Sequence, residues 1–380
     1  MQLAAPKGYD LSGAVHYHYG RFPPKALDYE RLIPSLTAAT ACLAKYDALL
    51  DTLHNSDLLL APLHRREAVI SSRIEGTVAT LQEVLRYEAE DDGDDVADRP
   101  AASQETIEVF SYSRAMNYAQ RRMKEGLPLS GRLLRETHGR LLFFGRGADK
   151  TPGQFKAEQN FVIDRATRRV LFIPTSPERF DEHFRVFEAY INNESAPPLL
   201  QAALSHVEFE ALHPFKDGNG RLGRMLITLM LWNRGVISSP HFYISGSIEA
   251  YRDEYIDRLR NVSANDEWTE WCDFFFRALV SQSEENIRTV ERIRSLYDEM
   301  KGVFRETTGS RWSIDALDFV FEKPVFRNSA FVKKTGIPKM SAHRIIKALH
   351  DRNFLALIEP ASGRRAAMYA FAPLLEITSV

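Results

Sequence analysis

The chain reads His213-Pro214-Phe215-Lys216-Asp217-Gly218-Asn219-Gly220-Arg221-Leu222-Gly223-Arg224 just before an apolar segment, residues 225–232, that predicts a buried helix. Glycine at 218 and 220 allows backbone conformations that other residues avoid, and it lets a phosphate approach the backbone closely. The N–H groups of this loop would lie at the start of the helix, where the helix dipole favours an anion. The stretch therefore predicts a phosphate-binding loop at a helix N-terminus.

The charged side chains of the same stretch suit a polyphosphate ligand. Arg221 and Arg224 are three residues apart, so both project from the first turn of the helix, and guanidinium groups pair well with phosphate oxygens. Asp217 is a hard oxygen ligand of the kind that Mg2+ takes beside substrate phosphates. His213 can be neutral near pH 7 and can accept a proton from an attacking hydroxyl. Each feature alone is typical of a turn, a loop or a solvated helix face, and only their conjunction favours a site.

The stretch resembles the signature of the Fic family, His-Pro-Phe-x-(Asp/Glu)-Gly-Asn-Gly-Arg-x-x-Arg, and matches it at every specified position. The resemblance implies a mainly helical core with a β-hairpin flap over the active site. It also implies an enzyme that transfers AMP from ATP to a protein hydroxyl, although some relatives transfer other phosphate-containing groups. The chain has no Gly-x-x-x-x-Gly-Lys-Ser/Thr loop, so the sequence does not indicate a Walker-type nucleotide site.

The resemblance also implies roles for individual residues. His213 takes the proton from a target Tyr, Thr or Ser hydroxyl, the oxygen attacks the α-phosphorus of ATP, and pyrophosphate leaves. Asp217 would hold Mg2+ between the α- and β-phosphates. Tyr255 lies on a helix that helps to form the adenine pocket in the family, and packing in the core is the alternative for this residue. The expected ATP contacts are Asn160, Phe161, Val162, Ile163, Gly218, Asn219, Gly220, Arg221, Leu222, Gly223, Arg224 and Tyr255.

Two short apolar runs that precede the motif predict a β-hairpin. Residues 161–163 and 170–173 read as strands, and a polar turn at 164–169 separates them. The pair resembles the flap of the Fic fold, and residues 153–156 and 159–160 resemble the approach to that flap. An exposed strand edge can pair with an extended peptide and so hold a side-chain hydroxyl near the base. The alternative is a small hairpin that only closes a loop.

A second motif lies at the end of a predicted helix, in Ser71-Ser72-Arg73-Ile74-Glu75-Gly76-Thr77. It resembles the inhibitory motif of the family, (Ser/Thr)-x-x-x-Glu-(Gly/Asn), with Ser71, Glu75 and Gly76 at the three specified positions. The resemblance implies that Glu75 pairs with Arg224, keeps that arginine from the γ-phosphate and leaves the α-phosphate badly oriented for in-line attack. In some relatives the same glutamate supports removal of AMP. The alternative is that Glu75 only caps or solvates a helix end.

Composition describes an ordinary globular protein of more than one domain. Of its 380 residues 44% are hydrophobic and 26% are charged, and a net charge of −2 argues against a chain coated with nucleic acid. Two cysteines, Cys42 and Cys272, give no disulfide framework and are expected to be small buried hydrophobes in a reducing compartment. No signal peptide or membrane-spanning run is visible, so we expect a cytoplasmic protein without membrane contact.

Helical periodicity and turn residues divide the chain into three predicted parts. An N-terminal helical region that carries the inhibitory helix spans residues 1–104, the Fic catalytic core spans 105–305, and a winged-helix-like domain spans 311–380. Inside the first part, seven acidic residues between Glu88 and Asp98 predict a mobile loop, since like charges repel one another.

The last part is more basic than the rest of the chain. Residues 311–380 carry 11 Lys/Arg and 6 Asp/Glu. Helices predicted at 313–321 and 328–335, a further helix that Ser341 caps, and strands at 354–358 and 367–371 give the pattern of a winged helix-turn-helix. Its basic face would contact DNA through Lys339, His343, Arg344, Lys347, Arg364 and Arg365. Winged helices also serve as protein-docking or dimer modules, and that alternative stays open.

The sequence leaves two classes of function to compare. The first is a self-inhibited protein adenylyltransferase that uses ATP and Mg2+, modifies an unidentified protein target and also labels itself. The second is a DNA-binding regulator whose Fic core only senses nucleotide, and the intact His213, Asp217 and motif arginines argue against it. A Fic enzyme with another phosphate-containing donor, or one that removes AMP, is a further alternative. Control of the inhibitory segment through a homodimer is an additional expectation.

Overall fold

The computed structural model describes residues 6–53, 55–91, 102–145, 147–164, 166–363 and 365–378, and it is mainly helical, as predicted. Its helices are α1 (Tyr29–Asp51), α2 (Ser56–Ile74), α3 (Leu81–Asp91), α4 (Gln104–Lys124), α5 (Gly131–Leu141), α6 (Pro177–Ile191), α7 (Pro198–Leu212), α8 (Asn219–Asn233), α9 (Ser245–Ala250), α10 (Arg252–Asn265), α11 (Trp268–Thr308), α12 (Ser313–Glu322), α13 (Asn328–Lys334), α14 (Lys339–Asp351) and α15 (Ala372–Thr378). Its strands are β1 (Val15–His16), β2 (Val162–Asp164), β3 (Arg169–Ile173), β4 (Val325–Arg327), β5 (Leu355–Glu359) and β6 (Met368–Phe371). None of the helices in these ranges is long and apolar enough to cross a membrane.

The described residues group into two compact units. The first contains those of Met1–Asp47 and Ser111–Ser283, and the second contains those of Ala48–Phe110 and Glu284–Val380. Because α1, α4 and α11 run across these limits, each contributes residues to both units. The predicted boundaries near residues 104 and 305–311 divide the chain by sequence segment, and they stay a prediction.

The core of the first unit is built on two consecutive helices, α7 and α8, which are buried on almost every side. Buried residues surround the circumference of α7, and most of them are apolar or small, as expected of a helix inside a core. Gly223 of α8 lets the two helices approach closely, since a Cβ at this position would lie 3.1 Å from Phe209 Cδ1. Residues 213–218 join the two helices, so the motif loop has a buried helix on each side.

The predicted hairpin is present and belongs to a three-stranded sheet in the order β1-β3-β2. β2 pairs with β3 in antiparallel fashion, with an irregularity between Val162 and Ile163, and β1 pairs with β3 in parallel. The sequence did not predict β1, because a strand of two residues depends on partners far along the chain. Its partner is β3, and the two residues after β1 are held by Glu208 of α7, which accepts hydrogen bonds from the Tyr17 hydroxyl at 2.6 Å and from the His18 ring at 2.7 Å. β1 and β2 are the outer strands of this sheet, and among the described residues β2 is the open edge on the hairpin side of β3.

In the second unit, α2 and α3 pack against the C-terminal elements. α2 contacts α12 and α15, and α3 contacts β4. The expected mobile loop at 88–98 was wrong for residues 88–91, which form the last turn of α3; residues 92–98 lie outside the described ranges. The repulsion argument failed because Glu88 binds Arg65 of α2 at 2.7 Å and Glu90 binds Arg327 of β4.

The C-terminal elements form a second sheet, in the order β4-β6-β5, with α12, α13 and α14 beside it in the chain. The sequence missed β4 and α15, and it placed the start of α14 too late: Ser341 lies inside the helix, whose N-cap is Pro338. Tyr251 separates two consecutive helices, because it caps the end of α9 and the start of α10. That the C-terminal elements are a winged helix-turn-helix stays a prediction.

Candidate active site

His213 stands at the point where α7 ends. Its backbone is left-handed, with φ of 46° and ψ of 65°, and its N–H donates to the Phe209 carbonyl at 3.0 Å. Its ring Nδ1 lies 3.4 Å from the Glu210 carbonyl oxygen, which can only accept a hydrogen bond. This contact favours the tautomer with the proton on Nδ1, and it leaves Nε2 with the lone pair that a base needs.

Phe215 anchors the loop that follows His213. It is fully buried and stacks on the ring of His138 of α5, with 3.8 Å between ring centroids and 10° between planes. His138 accepts the Gly153 N–H on Nδ1 at 2.8 Å and donates from Nε2 to the Asp217 carbonyl at 2.9 Å. The His138 imidazole therefore links the segment before the flap to the expected metal ligand of the motif.

The helix N-terminus after the loop is arranged by Gly218 and Asn219. Gly218 is the N-cap of α8 with φ of 75°, a left-handed conformation that favours glycine, and its N–H donates to Asp217 Oδ1 at 2.7 Å. Asn219 was expected to cradle phosphates. Its side chain binds the Phe215 backbone instead, with Oδ1 accepting the N–H at 2.9 Å and Nδ2 donating to the carbonyl at 2.8 Å. A phosphate contact by Asn219 would therefore come from its backbone.

Both motif arginines are almost fully buried, Arg221 at 2% exposure and Arg224 at 1%. Each lies near a buried histidine. Burial, and to a smaller extent the charge of the neighbouring arginine, lowers the pKa of both histidines: Arg221 acts on His138 and Arg224 on His206. Among the other expected ATP contacts of this helix, Leu222 packs in the core, Gly223 lies at the contact with α7, and Gly220 is half-buried; their contact with ATP stays a prediction.

The two buried histidines are neutral at pH 7. Burial lowers the pKa of His138 to about 4 and that of His206 to about 3. The hydrogen bonds of His206 assign the same tautomer as in His213. Nδ1 faces the Gly223 carbonyl at 3.2 Å and must carry the proton, and Nε2 accepts a hydrogen bond from the Tyr255 hydroxyl at 2.9 Å. Neutral rings avoid adding positive charge beside two buried guanidinium groups.

Tyr255 lies where the core-packing alternative places it. It is 6% exposed, its hydroxyl is bound by His206, and its ring is 6.0 Å from that of Trp271. Contact between Tyr255 and adenine stays a prediction.

The flap residues expected to contact ATP are brought to one strand edge. Phe161, Val162 and Ile163 are all half-buried, and the last two belong to the open strand β2. Asn160 just before them points its side chain at the motif loop, where Nδ2 donates to the His213 carbonyl at 2.8 Å and to the Phe215 carbonyl at 3.0 Å. The sequence grouped Asn160 with the ATP contacts and gave no signal for this contact with the loop.

The inhibitory motif lies in the second unit, at the end of α2. Ser71 is fully buried inside α2, Glu75 is the residue that caps the helix, and Gly76 is left-handed with φ of 84°. The turn is closed by N–H groups of Glu75 and Thr77, both of which donate to the Ser72 carbonyl at 3.1 Å. The role of these residues as a brake stays a prediction.

The expected DNA contacts fall into two groups. Lys339, His343, Arg344 and Lys347 are exposed and lie on the face of α14 opposite its buried residues Ala342, Ile345, Ile346 and Leu349. Arg365 is half-buried beside the turn at residues 362–365, and Arg364 lies outside the described residues.

The described part of the chain contains no cluster of three or more His, Cys, Asp or Glu residues that would hold a metal by themselves. This does not conflict with Asp217 as a magnesium ligand, because Mg2+ in phosphate chemistry commonly takes one or two carboxylates together with substrate oxygens and water.

The buried histidines predict a loss of stability in acid. An unfolded histidine takes up a proton below pH 6.5, whereas native His206 stays neutral down to about pH 3, so the free energy of unfolding falls as the pH falls through this window. The expected slope is roughly 1.4 kcal/mol per pH unit for such a residue. We expect His206→Gln to reduce the fall of the thermal midpoint between pH 7 and pH 5. An equal fall in wild type and variant would contradict the assignment.

Comparisons with known proteins identify the family. Residues 33–121 match the Fic/DOC family N-terminal domain, and residues 128–231 match the Fic/DOC family domain. The chain is 32% identical over 103 residues to "Protein adenylyltransferase Fic" of Nematostella vectensis, covering 26% of this chain and 22% of that protein. It is 27% identical over 217 residues to the protein of the same name from Drosophila willistoni, covering 54% and 39%. The chain thus spans well under half of the length of these curated relatives.

The fold agrees with that of a solved Fic family protein from Desulfovibrio desulfuricans G20. The TM-score is 0.57 at 18% identity, over 92% of this chain and 98% of the other. An identity this low shows a shared fold and no more. With the two matched domains, the shared fold and the complete motif between α7 and α8, the chain belongs to the Fic/DOC family.

Proposed function

We propose that the chain is a protein adenylyltransferase, which transfers AMP from ATP to a hydroxyl of a protein. The observation that carries the proposal is the loop between α7 and α8. His213 stands at its start with Nδ1 against the Glu210 carbonyl, and Gly218 at its end caps the N-terminus of α8. A base and an anion-binding helix end are thus held on one rigid turn, as in-line attack on a phosphate requires. The relatives named as protein adenylyltransferases support the same reaction.

In the proposed reaction the hydroxyl oxygen of a target Tyr, Thr or Ser attacks the α-phosphorus of ATP. The new bond joins this oxygen to phosphorus, the bond between the α-phosphorus and its bridging oxygen to the β-phosphate breaks, and pyrophosphate leaves with that oxygen. The proton of the hydroxyl passes to His213 Nε2. Arg221, Arg224 and the N–H groups at the start of α8 would neutralise phosphate charge. Asp217 would hold Mg2+, which offsets charge on the phosphates when bound.

The acceptor segment would pair with the open edge of the flap. β2 is an outer strand of its sheet and follows Asn160, whose side chain contacts the motif loop, so an extended peptide added along β2 would lie beside that loop. Pairing through backbone hydrogen bonds places the target chain beside the loop without demanding a particular sequence. This fits an acceptor that is recognised as an exposed, extended loop carrying a hydroxyl side chain.

Self-inhibition is part of the proposal. Glu75 would pair with Arg224 and prevent it from binding the γ-phosphate, as the resemblance of residues 71–76 implies. AMP removal, another phosphate-containing donor and control through a homodimer stay predictions from the sequence.

The proposal predicts how three proteins label with α-32P-ATP and Mg2+. Glu75→Gly is expected to incorporate at least roughly tenfold more AMP than wild type, the effect of about 1.4 kcal/mol on a barrier. Adding His213→Ala to Glu75→Gly is expected to abolish the label, because the base is gone. The labelled protein is detected by electrophoresis, with thermal unfolding as the control for folding.

Label that persists in Glu75→Gly/His213→Ala would remove His213 as the base. Equal labelling of wild type and Glu75→Gly would remove the brake. No label in any folded variant that binds ATP would contradict AMP transfer and favour the regulator that only senses nucleotide.

DNA binding by the C-terminal elements is a second candidate function, favoured by one observation: four basic side chains share the exposed face of α14. We expect random duplex DNA to bind with an affinity that falls as salt rises, since binding releases counterions from phosphates. Lys347→Glu/Arg344→Glu is expected to weaken binding by filter assay, whereas Lys301→Glu on α11 is not. Binding that neither depends on salt nor responds to these changes would contradict DNA contact by this face.

A further inference from the structure

Four successive carbonyl groups around the base are held by one short segment before the flap. We infer that Lys156 and Asn160 are positioning residues for His213, an inference that rests on the proposed function. The carbonyls are those of Leu212, His213, Pro214 and Phe215, and each accepts a hydrogen bond from Lys156 or Asn160.

Lys156 supplies half of these bonds. Its Nζ donates to the Leu212 carbonyl at 2.8 Å and to Asn160 Oδ1 at 3.0 Å, and its backbone N–H donates to the Pro214 carbonyl at 2.8 Å. Leu212 is the last residue of α7, where carbonyl groups lack helical partners and the helix dipole favours a cation. The lysine thus fixes the helix end from which His213 projects.

Asn160 donates the other two of the four hydrogen bonds, and Lys156 and Asn160 together are called the brace. Because Lys156 binds its Oδ1, the amide is oriented with Nδ2 toward the loop, and Nδ2 reaches the carbonyls on both sides of Pro214. His213 is held in a left-handed conformation that is unfavourable for a residue with a Cβ, and such a conformation persists only where the surroundings fix it. The brace supplies that fixation.

Burial of Lys156 costs free energy, because its ammonium group loses solvent. The side chain is 5% exposed, and burial lowers its pKa to about 7, which reports the cost of placing an ammonium group there. An apolar side chain of similar length would fill the same space without that cost. The value of the lysine therefore lies in the bonds that it makes to the loop and to Asn160.

The phosphate end of the loop has separate supports. Asn219 binds Phe215, and His138 binds the Asp217 carbonyl, so the start of α8 keeps two contacts without Lys156. Loss of Lys156 should therefore displace the base more than it disturbs ATP binding.

The test uses Lys156→Met and Lys156→Arg in the full chain carrying Glu75→Gly. We expect Lys156→Met to lower kcat for AMP transfer by roughly 10- to 100-fold, the scale of a misplaced catalytic group. We expect its Kd for ATP, measured by calorimetry with Mg2+, to change by less than about threefold, and Lys156→Arg to recover most of kcat because it keeps the donors. Lys216→Met is the matched control: this lysine of the same loop is exposed and pairs only at the surface with Glu158 at 3.6 Å.

A second readout does not depend on AMP transfer. NMR shifts of the His213 ring are expected to move in Lys156→Met and to stay unchanged in Lys216→Met. Should Lys156→Met fail to fold, Asn160→Asp replaces it, because it keeps the size and loses the amide donor to both carbonyls. Unchanged ring shifts together with unchanged kcat would overturn the inference, and so would an equal loss of kcat and ATP affinity. If Glu75→Gly itself transfers no AMP but the His213 ring signals shift in Lys156→Met, the proposed function is contradicted and the positioning role of Lys156 is still supported.

A different observation carries a second inference. The helix that ends in the inhibitory motif is packed into the C-terminal elements, with α2 against α12 and α15, and α3 against β4. We propose that the C-terminal elements control the segment 71–77, so that a change in them releases the brake; this rests on the proposed self-inhibition.

Arg327 of β4 is the centre of this connection. It is 4% exposed, and its guanidinium binds both carboxylate oxygens of Glu90 of α3 and, at 2.7 Å, Glu359 of β5. Glu88, one half-turn earlier in α3, binds Arg65 of α2 at 2.7 Å. The two helices that flank the inhibitory segment are thus tied to each other and to the C-terminal sheet.

Backbone hydrogen bonds order the segment 71–77, and the exchange of their amide protons measures how firmly the segment is held. The N–H groups of Glu75 and Thr77 donate to the Ser72 carbonyl and that of Gly76 donates to the Arg73 carbonyl. The Thr77 hydroxyl binds the buried Glu108 of α4 at 3.0 Å. Loosening α3 should open this turn and expose its amides to exchange with solvent.

The experiment compares Arg327→Met with Arg288→Met, whose side chain is 62% exposed in a surface pair with Glu285. Hydrogen exchange of residues 71–77 is expected to be roughly tenfold faster in Arg327→Met and unchanged in Arg288→Met. AMP labelling is expected to rise at least about fivefold in Arg327→Met alone and not to rise when Glu75→Gly is already present, since coupled changes are not additive.

Glu90→Gln serves if Arg327→Met does not fold. Unchanged exchange in residues 71–77 would overturn the proposal, as would a rise in labelling of the same size with and without Glu75→Gly. Faster exchange without any rise in labelling, while Glu75→Gly labels strongly, would also overturn it. If Glu75→Gly labels no better than wild type, the brake fails as a proposal, and the exchange rates still decide whether the C-terminal elements hold the segment.

Discussion

The left-handed turn at His213 is the constraint on which the rest of the site depends. α7 must stop there and α8 must restart six residues later, yet both helices are buried and leave the connecting loop little freedom. The backbone of His213 is unfavourable in isolation, and the carbonyls of residues 212–215 each accept a hydrogen bond that helps to fix it. Buried helices on either side of a braced turn hold His213 at a fixed separation from the N-terminus of α8, and the proposed AMP transfer needs a base and an anion-binding helix end held in this way.

Electrostatics around the loop follow from burial. Two nearly inaccessible arginines bring positive charge to the start of α8, and phosphate oxygens are the groups that such charge would bind. Neighbouring histidines stay neutral and act as fixed hydrogen-bond relays, His138 to the loop and His206 to Tyr255. The same low-polarity surroundings that hold these rings neutral would strengthen contacts with a bound polyphosphate. The positive charge of the two arginines and the neutral state of the two histidines are therefore set by the folded protein itself.

Much of this was predictable from sequence because it is local. The motif, the apolar periodicity of α7 and α8, and the two flap strands are readable within short windows, and they place His213 and Asp217 correctly on one loop. The contacts of Lys156 and Asn160 with the motif loop and those of His138 were missed because these partners are 15 to 79 residues away along the chain. β1, β4 and the ordered last turn of α3 were missed for the same reason: the strands depend on distant strands, and the turn depends on the buried Arg65 and Arg327.

The central claim is that this braced loop transfers AMP and releases pyrophosphate. The most direct measurement is the amount of pyrophosphate released for each AMP that becomes attached to protein, with Glu75→Gly, ATP and Mg2+ and with purified enzyme as its own acceptor. The account predicts one pyrophosphate for each attached AMP, and none of either with His213→Ala added. Release of phosphate or ADP instead, or pyrophosphate release without any attached AMP, would contradict it.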